Sequence, residues 1–399
     1  MDFNKLTIED MEIKGKRVLI RVDFNVPLDN GGNISDDTKI TAHLPTINYA
    51  LSHEAKVILM SHLGRPKGKV VEKLSLAPVA SRLSELLKIK INFVNECIGE
   101  KVREVVMAMH PKEVVLLENL RFHPEEETND PNFAKELASL GEVYVDDAFS
   151  AVHRAHASIS AITQYFPQAV SGFLLKNEIE YLSRVFLHPD RPICIVLGGA
   201  KVSSKIGVID NLLNKIDKLI IGGGMAYTFL AAQGKKVGNS LLEKDRLEDV
   251  NRILTDATKY RVEILLPGDH LIADAIKEDA NTQIVNLEDG IPDGWMGVDI
   301  GPQTMEKFTN ALKGAKTIFW NGPMGVFEID KFNTGSTTIG KAIVDTGALT
   351  IAGGGDTDAV IDKLGLMNKI THISTGGGAC LEFLEGKELP GVKVLTNKE

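Results

Sequence analysis

Cysteine is scarce in this chain of 399 residues. Cys97, Cys194 and Cys380 are odd in number, widely spaced and form no CxxC pair. That argues against a disulfide framework and against a zinc site. Long apolar runs are also missing: none approaches the ~20 residues needed to cross a membrane. The opening stretch, MDFNKLTIEDMEIKGKR, mixes acids with bases and has no apolar core like that of a signal peptide. The expectation is a cytoplasmic protein. Nor is there an excess of positive charge: 45 basic against 54 acidic residues give a net charge of −9. General nucleic-acid binding, which needs a basic footprint, is argued against, although a small local basic pocket is not. Two nucleotide fingerprints are lacking as well. No GxxxxGK[ST] occurs, so there is no P-loop, and no GxGxxG occurs, so the usual dinucleotide signature is missing.

What is present reads as a soluble globular chain, 43% apolar and 25% charged. Its length suggests two or three domains. In the first half, short β-branched runs at 17–24, 56–60, 113–118 and 142–145 read as buried strands. Helical patterns at 45–52, 77–87 and 132–140 separate them. Strand alternating with helix predicts a parallel sheet covered on both faces, with ligands beyond the carboxyl ends of the strands. The residues at those ends are Asp23 and Asn25, then His62 and Arg65, then Arg121, then His153, Arg154 and His156. Arg21 lies within the first strand and Lys39 in the segment after it. Arg binds phosphate or carboxylate through its planar fork, and Asp23 and Asn25 can accept from a substrate hydroxyl. The cluster predicts a pocket for a small phosphorylated acid. Taken singly, each side chain equally suits a surface ion pair or a helix cap.

The second half alternates in the same way, with strands expected at 193–197, 218–221, 262–266, 317–320, 349–352 and 372–374. Four of these strands end in glycine: Gly198-Gly199-Ala200-Lys201, Gly222-Gly223-Gly224, Gly353-Gly354-Gly355-Asp356 and Gly376-Gly377-Gly378. A fifth turn reads Asn321-Gly322-Pro323-Met324-Gly325. Glycine lets the backbone approach closely, and a helix beginning there aims free N–H groups at an anion. Four such turns predict a nucleotide phosphate site. Lys201 and Lys205 are placed to neutralise phosphate oxygens, and Asp356 suits a carboxylate holding Mg²⁺. Glu328 can accept from ribose hydroxyls. Between the halves, Leu175, Ile179, Leu182 and Phe186 recur at helical spacing, which predicts one amphipathic helix stopped by Pro189.

Taken together, these motifs resemble phosphoglycerate kinase. In the first half the matching runs are RVDFNVP from Arg21, SHLGRP from Ser61, LENLRF from Leu117 and HRAHAS from His153. In the second they are LGGAKV from Leu197, IGGGMAYTF from Ile221, WNGPMGVFE from Trp320, GGGDT from Gly353 and STGGGA from Ser374. The resemblance spans the whole chain in order. It implies an α/β protein of two doubly wound, parallel-sheet (Rossmann-like) domains facing a cleft and joined by a hinge helix. The expected parts are 1–172 for phosphoglycerate, 173–188 for the helix, 189–385 for nucleotide and 386–399 as a tail returning to the first domain. Asp23, Asn25, Lys39, His62, Arg65, Arg121 and Arg154 match the family's phosphoglycerate positions. Lys205, Gly223, Glu328, Gly353, Gly354, Gly355, Asp356 and Thr357 match nucleotide positions, with Asp356 also the magnesium position. Lys39, Lys201, Gly376 and Gly377 match the catalytic set.

Two departures stand out. Lys39 occupies a position where the family usually has Arg, which keeps the charge and loses the planar fork. Ser204 stands where some members have an acid. The implied activity is reversible phosphoryl transfer from 1,3-bisphosphoglycerate to Mg-ADP, giving 3-phosphoglycerate and ATP, by a glycolytic monomer with no nucleic-acid or membrane partner. Two other readings stay open at this stage. One is a nucleotide-dependent oxidoreductase; the other is a non-catalytic metabolite-binding or scaffold protein with the kinase fold.

Overall fold

The computed structural model describes residues 4–29, 31–186 and 189–398. The chain divides into two compact units, residues 1–180 with 388–399, and residues 181–387.

The first unit is built on a six-stranded parallel sheet. Its strands are β1 (Arg17–Arg21), β2 (Lys56–Met60), β3 (Ile91–Val94), β4 (Val114–Leu117), β5 (Val143–Asp146) and β6 (Ala169–Ser171), in the order β3-β4-β2-β1-β5-β6. The helices α1 (Thr38–Ser52), α2 (Ala77–Leu87), α3 (Glu100–Met107), α4 (Pro124–Glu127) and α5 (Pro131–Ala138) lie among them. Strands β4 and β5 are buried along their whole length, as apolar runs with both faces covered should be. Residues 388–398 pack on this unit. The amide of Leu6 donates to the Thr396 carbonyl at 2.8 Å, and that of Thr396 to Ala169 at 2.9 Å.

α6 (Phe173–Phe186) carries the chain from one unit into the other. Leu175, Ile179 and Leu182 are buried along one stripe, the helical spacing expected of them. The Phe186 side chain, Leu187 and His188 lie outside the described residues.

The second unit repeats the plan. Its strands are β7 (Ile193–Leu197), β8 (Lys218–Ile221), β9 (Glu263–Leu265), then, beyond an insertion of β10 (Asp269–Ala273), β11 (Thr282–Asn286) and β12 (Met296–Ile300), β13 (Thr317–Asn321), β14 (Leu349–Gly353) and β15 (His372–Ser374). The parallel order is β15-β14-β13-β7-β8-β9. The chain thus builds outward from β7 in one direction, returns, and builds outward from β13 in the other. The gap between β7 and β13 is the switch point where ligands bind in such sheets. Its helices are α7 (Ile206–Leu212), α8 (Ala226–Ala232), α9 (Leu247–Tyr260), α10 (Pro302–Leu312), α11 (Thr334–Asp345), α12 (Gly355–Lys363) and α13 (Gly378–Leu384).

Three features depart from the sequence expectation. β10, β11 and β12 form a separate antiparallel sheet, in the order β11-β10-β12. Its β11, TQIVN, is mostly exposed, so it shows no apolar run to betray it. β3 and β6 were not expected: β3, INFV, is only half-buried at its two middle residues, and β6 is a three-residue AVS with a serine at its end. Finally, α1 begins at Thr38, not at Pro45, which lies inside it. A proline favours a helix's first turn, which is why the pattern seemed to start there. The earlier start puts Lys39 on the first turn of α1.

Two candidate sites, one in each unit

In the first unit, the loops after β2, β1 and β5, three neighbours in the sheet, meet around Asp23. Its Oδ2 accepts from Lys39 Nζ at 2.7 Å and from the Ser150 hydroxyl. Its Oδ1 accepts from the Asn25 amide at 3.0 Å and lies 3.9 Å from His62 Nδ1. Burial opposes a charge on Asp23. Its neighbours, His62 and then the Lys39 ammonium, with hydrogen bonds from Lys39 and Ser150, outweigh that and hold the carboxyl well below the usual range. Arg21 is fully buried beneath. Its Nε donates to Ser158 Oγ at 2.9 Å, and its other nitrogens meet the Val22 carbonyl and, at 3.2 Å, His62 Nδ1. Burial, then Arg21, Arg121 and Lys39, push His62 well below its ordinary value, so it is neutral. Burial and the same arginines take His156 down to about 3.

The loop after β4 brings in Arg121, whose guanidinium donates to the Gly64 carbonyl at 2.9 Å. The Nε of Arg121 is buried and makes no hydrogen bond, although Glu127 is 3.5 Å away. Gly64 is held in turn by Asn25, whose Oδ1 accepts its amide at 2.8 Å. Arg65 and Arg154 are exposed on this edge, and Arg154 Nε donates to His153 at 3.1 Å. Of the residues expected here, Asp23, Asn25, Lys39 and His62 are joined by direct contacts, and Arg121 is linked to them through Gly64. Arg65 and Arg154 project beyond them.

Several supporting groups gave no sequence signal. Glu126 is completely buried and accepts from the amide and hydroxyl of Ser158, at 2.9 and 2.6 Å. That fixes the serine on which Arg21 rests. His43 accepts from the Asp23 amide at 2.8 Å and pairs through its other ring nitrogen with Asp147, also at 2.8 Å. Asp147 in turn accepts from the Leu174 amide at 2.9 Å, at the start of α6. A lone serine, glutamate or histidine inside a helix or loop looks like any other until the fold closes around it.

In the second unit the glycine turns gather at the switch point. The turns after β7 and β13 touch: a Cβ on Gly198 would lie 2.0 Å from the Pro323 carbonyl oxygen, and one on Gly322 would lie 2.4 Å from Gly198. Gly322 also has φ +101°, a region that favours glycine. Trp320, buried in β13, donates its indole N–H to the Gly322 carbonyl at 2.9 Å, so core packing fixes the turn. Thr357 Oγ1 accepts from the Gly322 amide at 2.7 Å and donates to the Gly353 carbonyl at 3.0 Å.

These turns line a polar pocket with Lys201, Lys205, Gly354, Gly355, Asp356, Thr357 and Gly377 on its wall. Lys205 donates to Asn321 Oδ1, and burial lowers its ammonium below the usual value. Asp356 is exposed on the first turn of α12 and, among the described residues, has no hydrogen-bond or ion-pair partner. Beside this pocket, and sharing Gly199, Ala200 and Asp356 with it, is a slot walled by Gly223, Tyr227, Met296, Val298, Phe327 and Glu328. Leu241 and Ile276, 57% and 56% exposed, stand at the slot. The apolar slot joined to the basic pocket suits a base and ribose joined to phosphates.

Two expected residues stand back from the pocket wall. Gly353 is buried at the end of β14, its carbonyl occupied by Thr357 and by the Asn321 amide. Gly376 is buried too, and its N–H donates to Ser374 Oγ at 3.2 Å. Leu241 and Ile276 were not anticipated, because an isolated exposed apolar residue is ordinary.

Fold and sites together define a two-unit α/β protein with a cluster of cationic side chains on one unit and a glycine-turn pocket on the other. Comparison with known proteins narrows this. A family model described as phosphoglycerate kinase matches residues 8–387. The chain is 55% identical over 394 residues to phosphoglycerate kinase of Moorella thermoacetica, covering 99% of this chain and all of that protein. It is 52% identical over 396 residues to that of Chlorobium limicola, covering 98% and 100%. Among solved structures it resembles phosphoglycerate kinase from Coxiella burnetii, with TM-score 0.90 and 41% identity over 98% of each chain. That from Pyrococcus horikoshii gives 0.84 and 34% over the same shares. The chain belongs to the phosphoglycerate kinase family. It is therefore a glycolytic phosphotransferase, which sets aside the oxidoreductase and scaffold readings.

Proposed function

We propose that the chain transfers a phosphoryl group directly and reversibly between the carboxylate of 3-phosphoglycerate and ADP, as a cytoplasmic monomer. The first unit's pocket takes the phosphoglycerate and the second unit's takes the nucleotide. The observation that carries this reading is the contrast between them: arginine, lysine and neutral histidine around Asp23, against glycine turns, two lysines and a free carboxylate at the switch point.

Both acceptors are already anionic at neutral pH, so no side chain has to remove a proton. The work left to the protein is positioning and neutralisation of charge. In the first unit, Arg65, Arg121 and Arg154 hold the phosphate end, while Asp23 and Asn25 accept from the hydroxyl. Lys39, tethered to Asp23, presents its ammonium to the reacting carboxyl. In the second unit, Lys201 and the Gly377 amide neutralise the oxygens of the moving group, and Lys205, pinned by Asn321, faces the nucleotide phosphates. Asp356 fits as the holder of Mg²⁺, because its carboxylate is exposed, unengaged and beside the phosphate pocket; that ion takes one or two carboxylates along with phosphate oxygens. Bound there it supplies further neutralisation of the phosphate charge.

An acyl phosphate is useless if water reaches it. We propose that the units close about α6 when both substrates are bound, excluding water. Small-angle scattering should then show a smaller radius of gyration with both ligands than with either one. Equal radii in all three states would count against closure. The substrate assignment is tested by measuring ADP formation from Mg-ATP with and without 3-phosphoglycerate. Strong dependence on the acid is expected, and equal rates would contradict it.

A further inference from the structure

The scarcity and spacing of cysteine argued against a zinc site, yet the fold brings unlike ligands together around one thiol. Among the described residues, Glu96, Cys97 and His123 offer ligand atoms that all lie within 4.8 Å of one another. Cys97 is in the loop between β3 and α3, and His123 directly precedes α4, after β4. Strands β3 and β4 are neighbours at the end of the sheet, so the two loops lie side by side. The amide of Glu118 donates to the Glu96 carbonyl across this gap at 3.3 Å. Glu96 Oε1 and His123 Nε2 are 2.7 Å apart. Cys97 is fully buried, whereas the His123 and Glu96 side chains are 26% and 46% exposed, which leaves a path from solvent.

Thiolate, imidazole and carboxylate are the ligands that zinc takes, whereas magnesium and calcium prefer oxygen alone. Around a tetrahedral zinc ion, such donors stand roughly 3.3–3.8 Å apart, given metal–ligand distances of about 2.0–2.3 Å. Glu96 and His123, at 2.7 Å, stand closer than that, and all three ligand atoms lie within 4.8 Å of one another, so side-chain rotation has to open the first pair to admit an ion. Burial, then the negative charges of Glu96, Glu126 and Glu118, push the Cys97 thiol well above its ordinary value, so an ion bound there has to displace the thiol proton.

We propose that Glu96, Cys97 and His123 bind one divalent transition-metal ion of the zinc type, leaving a fourth position for water. The ion would clamp the β3–α3 loop to the turn that carries Arg121, two residues before His123. The metal site shares no ligand with either substrate site.

The test uses the reduced, chelator-stripped full chain, titrated with Co²⁺ as a spectroscopic stand-in for Zn²⁺. One equivalent should produce a thiolate-to-cobalt charge-transfer band, which added Zn²⁺ removes. Cobalt at a nucleotide site has no sulfur ligand and gives no such band. Cys97→Ser should abolish the band, and His123→Gln should weaken cobalt binding by about tenfold or more. If Cys97→Ser does not fold, His123→Gln, at a part-exposed position, decides alone. No band in the parent chain, a band that survives Cys97→Ser, or unchanged affinity in His123→Gln would each overturn the site.

Discussion

Replacing Lys201 with alanine lowers turnover by about 10²–10³-fold, the usual cost of removing one group that stabilises transition-state charge. Nucleotide affinity falls only a few-fold. The reason lies in the position of Lys201. It is exposed on the wall of the polar pocket, directly after the Gly198–Gly199 turn, whereas Lys205 is half-buried and tied to Asn321. Among the described residues the Lys201 ammonium makes no hydrogen bond or ion pair, so it can follow the phosphoryl oxygens as they move. A lysine held by the protein keeps its place and serves binding more. Steady-state kinetics with both substrates varied separates the two effects. Unchanged turnover would remove Lys201 from the mechanism.

The second large effect is expected at Arg154. Arg154→Ala weakens 3-phosphoglycerate binding by roughly 10–100-fold, as loss of a hydrogen bond to a charged group should, and leaves ATP binding intact. This arginine is exposed, and among the described residues its side chain hydrogen-bonds only its neighbour His153, so truncating it breaks no buried hydrogen bond. Arg121 would be a poorer test, because it also holds the Gly64 carbonyl. Titration calorimetry with each ligand in turn gives the answer. Equal loss of both ligands would mean that the pockets are wrongly assigned.

The helix-and-strand alternation was legible because buried parallel strands are short continuous apolar runs. ICIVL at β7 and KVILM at β2 announce themselves. The inserted sheet was not, because β11 keeps polar side chains at most of its positions and faces solvent. The strand-end residues were legible for a topological reason: in a parallel sheet whatever follows each strand lies on one edge. That reasoning reaches Asp23, His62 and Arg121. It says nothing of Glu126, Ser150, Ser158 or His43, which matter only through contacts made across 20 or more residues of chain. It also credited every glycine of a run alike, whereas Gly354 and Gly355 line the pocket and Gly353 is buried behind them. Arg21 was visible as a charge inside an apolar strand; its place beneath the Asp23 cluster, bonded to Ser158 and His62, was not.

The central claim is a single direct transfer between two bound anions, with no covalent enzyme intermediate. It is tested most directly by the stereochemistry at phosphorus, using ATP made chiral at the γ-phosphoryl group by oxygen isotopes. One in-line displacement inverts the configuration in the product acyl phosphate. Inversion is the predicted result. Retention would require an even number of transfers, hence a phosphorylated residue on the chain, and would contradict the account.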